Sequence, residues 1–426
     1  MEDERLMPEI AALHALEILD SRGRPTLYCT CTLTSGAIGA GSIPSGASTG
    51  RAEAHELRDR DPRRYRGLGC QQAVHNVNEV IMPALKGQPC ADQAALDAAL
   101  IALDGTPNKG RLGANALLAV SLAFARACAA EQALPLYAYF SGLLGDVPRR
   151  LPRLTVNLFS GGKHAGGQVA IQDVLLVPLK PTSVRESLAM LYDVYQTAAE
   201  LIFERYGMRL LTADEGGLAP NFPDDETMLH DAVTAIERAG YRPGEDVGLA
   251  IDVASSHFYT DGRYHLNGQD LTGTEMIAQI ERWTRAYPLI SVEDGLSEED
   301  WPHWTQLTAA LPARVLALGD DLLCTNPERI GKAIRLQAAT ALLLKVNQIG
   351  TFTEAAQAAQ LARSAGWQIV VSARSGETED NWLADLAVGW HGDYIKVGSI
   401  TQSERLAKYN RLLMIEAETG LSIPRV

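Results

Sequence analysis

From residue 154 onward the chain repeats one unit: a short apolar run, then a stretch with helical spacing. DVGLAID is followed by TEMIAQIERWTRAY, LISVED by a segment containing WPHWTQLTAAL, and RVLALGDD by PERIGKAIRLQ. ALLLKV precedes TFTEAAQAAQLARSAG, and QIVVSA, ADLAVGW and DYIKVG close the series. Continuous Val, Ile and Leu runs read as strands buried on both faces, as in parallel sheet. Repetition on this scale favours a closed β/α barrel over an open doubly wound sheet. An open sheet would more naturally carry a Gly-rich phosphate loop after its first strand, and neither G-x-G-x-x-G nor G-x-x-x-x-G-K-[ST] occurs.

The preceding part of the chain reads differently. Residues 11–43 alternate apolar and polar runs broken by DSRGRPT and SGAIGAG, the pattern of short strands joined by turns. Residues 70–140 carry three helical stretches, QQAVHNVNEVIMPAL, ADQAALDAALIAL and NALLAVSLAFARACAAEQA. The fold class expected is therefore α/β: an α+β capping domain over 1–140, a Gly-, Pro- and Arg-rich linker over 141–153, and a β/α barrel over 154–426.

The formal charge of −14 argues against nucleic acid or an anionic membrane as the main partner. An anionic small molecule needs only a local group of Lys and Arg. The cysteines at 29, 31, 70, 90, 128 and 324 show no metal-ligand spacing and read as core packing, which suits a reducing, cytoplasmic setting. The N-terminal MEDERLMPEI has no apolar signal run, and no apolar stretch of about 18 residues stands out, so no membrane-spanning helix is expected.

Barrel enzymes carry their working groups at the C-terminal ends of strands. Here those ends read Asp252 (AID), Glu293 (SVED), Asp320 (LGDD), Lys345 (LLLK) and Lys396 (YIK). Three carboxylates from consecutive strands, followed by two lysines, are hard to explain as separate structural ion pairs. Carboxylates at a barrel mouth suit a hard octahedral cation such as Mg²⁺. A lysine close to such a cation loses stability in its charged form and moves toward use as a base. The combination points to abstraction of a proton next to a carboxylate.

The chain resembles the enolases over nearly its whole length. The resemblance lies in ILDSRGRPT (18–26), PSGASTG (44–50), NKGRLGANALLAVSLA (108–123), GGKHAGGQVAIQD (161–173) and DEGGLAPN (214–221). It continues through AIDVASSHFY (250–259), GDDLLCTNPERI (319–330), LLLKVNQIG (342–350), SARSGETED (372–380) and SERLAKYN (403–410). It implies a homodimer or higher homo-oligomer that dehydrates 2-phosphoglycerate to phosphoenolpyruvate with two Mg²⁺ ions, the second arriving with substrate. By motif, Asp252, Glu293 and Asp320 would hold the first ion and Ser48 would help hold the second. Lys345 would remove the C2 proton, with Lys396 at the substrate carboxylate. Glu215 would help expel the C3 hydroxyl. Arg374 and Ser375 would hold the phosphate, with His164 reaching it from another loop and Gln172 counted among the substrate-binding residues.

Two departures from the family pattern fall together. Enolases have SHRSGETED where this chain has Ala373, and a glutamate where it has Asp173. Both belong to the hydrogen-bond network on the leaving-hydroxyl side, and both shrink a side chain. Lys163, Gly295, His257 and Val397 also depart from the pattern. The expectation is altered substrate use: a phosphorylated or phosphonylated small carboxylate bulkier than 2-phosphoglycerate. The candidate is carboxyphosphonoenolpyruvate formation, as in enolase-like proteins of phosphonate antibiotic pathways. An ordinary glycolytic enolase and a non-catalytic binding protein are the alternatives.

Overall fold

The computed structural model describes residues 7–47, 49–207 and 211–425. Strands β1 (Ile10–Leu19), β2 (Pro25–Leu33) and β3 (Ile38–Ser42) form an antiparallel meander in the order β1-β2-β3. Alternate residues of β2 point into a core that includes Cys29 and Cys31, both fully buried. Helix Ala114–Glu131 lies on β2 and β3. Its alanines allow an unusually close approach: a Cβ on Gly39 would stand 2.2 Å from the Ala123 carbonyl oxygen, so only glycine fits. This helix does reach the length and apolarity of a membrane span, contrary to the expectation above, but 83% of it is buried inside the protein. Its apolar character is explained by contact on nearly every face.

The second layer is a closed eight-stranded barrel. Its strands in chain order are β4 (Arg153–Ser160), β5 (Asp173–Pro178) and β6 (Val247–Asp252). A small sheet of β7 (Tyr259–Thr260), β8 (Arg263–Leu266) and β9 (Gln269–Leu271) follows outside the barrel. The barrel then resumes with β10 (Leu289–Glu293), β11 (Leu316–Gly319), β12 (Ala341–Leu344), β13 (Gln368–Ser372) and β14 (Tyr394–Gly398). Several outer helices start where the sequence supplies a cap. Ser183 accepts from the Glu186 amide, and Thr272 with Glu275 forms a full capping box before helix Gly273–Ala286.

The expected all-parallel sheet needs one correction. β5 pairs antiparallel with both β4 and β6, while the remaining barrel neighbours pair parallel. A reversed strand needs no helical crossover, so the loop 161–172 joins β4 to β5 directly. The reversal has a functional consequence. The first residue of β5, not its last, reaches the barrel mouth, and the register sets Asp173 opposite both Ser160 and Asp252.

Candidate active site

The strand-end charges meet at that mouth. Glu293 ends β10 beside Asp252, which ends β6, in direct register. Lys396 on β14 sits beside Ser372 of β13 and sends its ammonium across the barrel. Its Nζ donates to Asp252 Oδ2 at 3.0 Å and to Glu293 Oε2 at 2.7 Å. Lys345 Nζ donates to Asp320 Oδ2 at 2.6 Å, and Gln348 Nε2 donates to the other Asp320 oxygen at 2.7 Å. All of these groups are buried.

Burial penalises every charge here, and the partners decide which survive. The Asp252 carboxyl is driven down to about 2: burial opposes this, but Lys396 and Lys345 outweigh it. Glu293 moves the other way, well above the carboxylate range, because burial and the neighbouring Asp252 charge both disfavour its ionisation. Burial would lower both lysines, yet Asp320 holds Lys345 up, and Asp252 with Glu293 hold Lys396 well up. Facing these carboxylates, both lysines are held as ammonium groups.

The residues fit a cation nonetheless. Glu293 Oε1 is buried with no hydrogen-bond partner among the described residues, an oxygen desolvated at a cost that a metal would offset. Asp252, Glu293 and Asp320 do not form one of the tight clusters among the described residues. Those are Asp294 with Asp320 and Asp321, and His164 with Asp173 and Glu215. Asp294 was missed in the sequence. Its two oxygens accept the Asp320 and Asp321 amides at 2.9 and 2.7 Å, so it sets the position of Asp320. The adjacent acids of SVED and LGDD were its only signal. Ser48 lies outside the described residues.

The leaving-group side is built on β4 and β5. Asp173 is fully buried; its Oδ1 accepts from Ser160 Oγ at 2.6 Å and its Oδ2 lies 3.0 Å from His164 Nδ1. Burial would lower the imidazole, but Asp173 and Glu215 together lift it to about 9, so it is charged at neutral pH. Glu215 accepts from Asn157 Nδ2 at 3.1 Å. Burial would raise its carboxyl, and His164, Arg405, Lys396 and Lys345 hold it below the usual range. Gln172 donates to Asp252 Oδ2 at 3.2 Å.

On the opposite side Arg374 is held bidentately by Glu53, 3.1 Å for each nitrogen–oxygen pair, and reaches Asn347 Oδ1 at 3.0 Å. Ser375 Oγ accepts from Arg22 at 3.2 Å and from the Ala47 amide at 2.9 Å. The Arg405 guanidinium fixes the turn by donating to the Arg374 and Ser375 carbonyls at 2.7 and 2.6 Å. Two of the acids that follow in SGETED are structural: Glu377 pairs with Lys408 at 2.8 Å, and Asp380 ties the turn to Arg126 of the N-terminal domain at 2.6 Å.

One cavity joins these sides. His164, Gln172, Glu215, Asp252, Lys345, Ala373, Arg374, Ser375 and Lys396 line it, whereas Glu293 and Asp320 do not. Its volume is only about 20 Å³, room for about one water. Two N-terminal segments lie against this wall: the Ala47 amide donates to Ser375 Oγ, and Glu53 pairs with Arg374.

A capped eight-stranded barrel with facing carboxylates and ammonium groups at its mouth is the frame of a barrel lyase. The chain belongs to the enolase family: the enolase N-terminal domain matches residues 10–140, and the enolase C-terminal TIM barrel domain matches residues 148–423. It is an enzyme of the phosphopyruvate hydratase type. The family implies Mg²⁺ and a phosphocarboxylate substrate.

Proposed function

We propose that this protein removes the proton next to the carboxylate of a phosphorylated three-carbon acid, 2-phosphoglycerate in the first instance, and expels the neighbouring hydroxyl as water. The observation that carries this reading is the shared cavity, which brings Lys345, Lys396, Glu215 and Arg374 around one small volume. Mg²⁺ held by Asp252, Glu293 and Asp320 would supply stabilisation of the enediolate charge. Lys345 takes the C2 proton. It becomes a usable base only when Asp320 is engaged elsewhere, since that carboxylate holds its proton. Lys396 neutralises the substrate carboxylate. Glu215 faces the C3 hydroxyl, and the neighbouring His164 imidazolium carries a proton at neutral pH. Arg374 and Ser375 take the phosphoryl group, for which a guanidinium fork is well suited.

A second reading keeps this machinery and changes the substrate to a bulkier phospho- or phosphono-carboxylate, as in carboxyphosphonoenolpyruvate formation. Ala373 on the cavity wall and the short Asp173 favour it. The test is ultraviolet detection of phosphoenolpyruvate formed from 2-phosphoglycerate, with and without added Mg²⁺. Mg²⁺-dependent turnover in the ordinary enzyme range of about 1–10³ per second supports the first reading and removes the second. Feeble turnover with intact binding reverses that order, and absence of both turnover and C2 proton exchange overturns the two together.

A further inference from the structure

Outside the closed cavity lies a much larger cleft of about 610 Å³, within the range of small-molecule sites. Its walls come from the two segments that carry site residues inward. One is the β4–β5 loop, which supplies Gly162, Lys163 and Gln168 before Gln172 and Asp173. The other is the chain after β6, which supplies His257, His265 and Asn267 beyond Asp252. None of the lining residues is acidic, in a chain whose net charge is −14. Lys163 is exposed and has no salt bridge among the described residues. His265 is engaged by Asp270 at 2.6 Å, which leaves Lys163 as the group that sets the local sign.

Position connects the cleft to the chemistry. Lys163 directly precedes His164, which lines the inner cavity. Burial, and then the neighbouring Lys163 charge, push the His257 imidazole down to about 4, so at neutral pH it offers a hydrogen bond and not a charge. A ligand extending outward past His164 therefore meets Lys163 and His257 first. A cation and an imidazole on opposing segments, with backbone at Gly166 and Gly167 unobstructed by side chains, suit carboxylate, phosphonate or phosphate oxygens.

We infer that this cleft is a second anion subsite, which recognises an additional carboxylate, phosphonate or phosphate group on a ligand held by Arg374. The inference rests on the phospho-acid reading above for its inner contact, and on Lys163 and His257 for its outer one. It makes the charge of the substrate's far end, more than space beside Ala373, the feature that separates this site's ligands.

Titration calorimetry with the full chain tests it, using two probes: orthophosphate, and phosphonosuccinate, which adds two carboxylates to one phosphonate. Lys163→Glu should weaken phosphonosuccinate by at least about tenfold and orthophosphate by less than about twofold. Lys163→Met, which removes the charge with little change in bulk, should give a smaller loss of the same selectivity. Equal weakening of both probes would reduce Lys163 to a general field effect and overturn the subsite, as would unchanged phosphonosuccinate affinity in Lys163→Glu. Circular dichroism of both variants confirms the fold. Binding needs no turnover, so selective loss in a protein that fails the phosphoenolpyruvate assay would keep the subsite while sinking the proposed reaction.

Discussion

Glu53 grips both terminal nitrogens of Arg374, 3.1 Å from each, so a carboxylate from the N-terminal domain fills the fork that a phosphoryl group would need. Both side chains are nearly inaccessible to solvent. The closed cavity follows from this contact, and ligand binding must break or share it.

Glu53→Gln keeps the size of that side chain and removes its charge. Orthophosphate should then bind more tightly, by roughly threefold to tenfold, because the competing anion is gone. Stability should fall by about 3–5 kcal/mol as one partner of the buried ion pair is lost. Calorimetry and a melting curve read both effects. Weaker phosphate binding in the variant would mean that Glu53 orients Arg374 for its ligand and does not compete with it.

Glu293→Gln removes the carboxylate whose Oε1 has no partner among the described residues. Mg²⁺ binding should be lost with the fold intact, since the amide oxygen can still accept from Lys396. Unchanged Mg²⁺ affinity by calorimetry would move the metal site, with Asp294, Asp320 and Asp321 next in line.

Lys345→Ala should abolish solvent exchange of the substrate C2 proton, a loss of at least about 10²–10⁴ in rate. Exchange persisting at the wild-type rate would transfer the base role to Lys396, whose ammonium already bridges Asp252 and Glu293.

Restoring Ala373→His together with Asp173→Glu separates the two substrate readings. If the site is adapted to another substrate, the double variant should raise 2-phosphoglycerate dehydration above the sum of the single effects in free energy, because both positions serve one network. A wild type already at ordinary enolase rates, with no gain in the double variant, would show that the imidazole is dispensable here.

The His164–Asp173 pair also predicts a pH dependence. The imidazole titrates at about 9, above its ordinary 6.5. Its contribution to stability is therefore complete below about 6.5 and lost as pH rises through about 9. The melting-temperature gap between wild type and His164→Gln should shrink across that window. A gap that widens with pH would show that the buried Asp173 is held neutral and that the pair is not ionic.

The alternation of apolar runs and helices, with a charged residue following five of the runs, was enough to specify a barrel and to place Asp252, Glu293, Asp320, Lys345 and Lys396 at one mouth. That inference works because a buried strand and an amphipathic helix each leave a local periodic trace. Strand direction leaves none: the fully buried run from Asp173 to Pro178 reads the same either way, and only pairing with β4 and β6 reverses it. Partner choice is equally silent in the sequence. Lys396 and Asp252 are 144 positions apart, and Arg374 and Glu53 are 321 apart. Which carboxylate each cation meets depends on how the N-terminal domain and barrel loops close over the mouth. The energetic reason is that a buried charge must find a partner, and only the assembled fold determines which partners lie within reach.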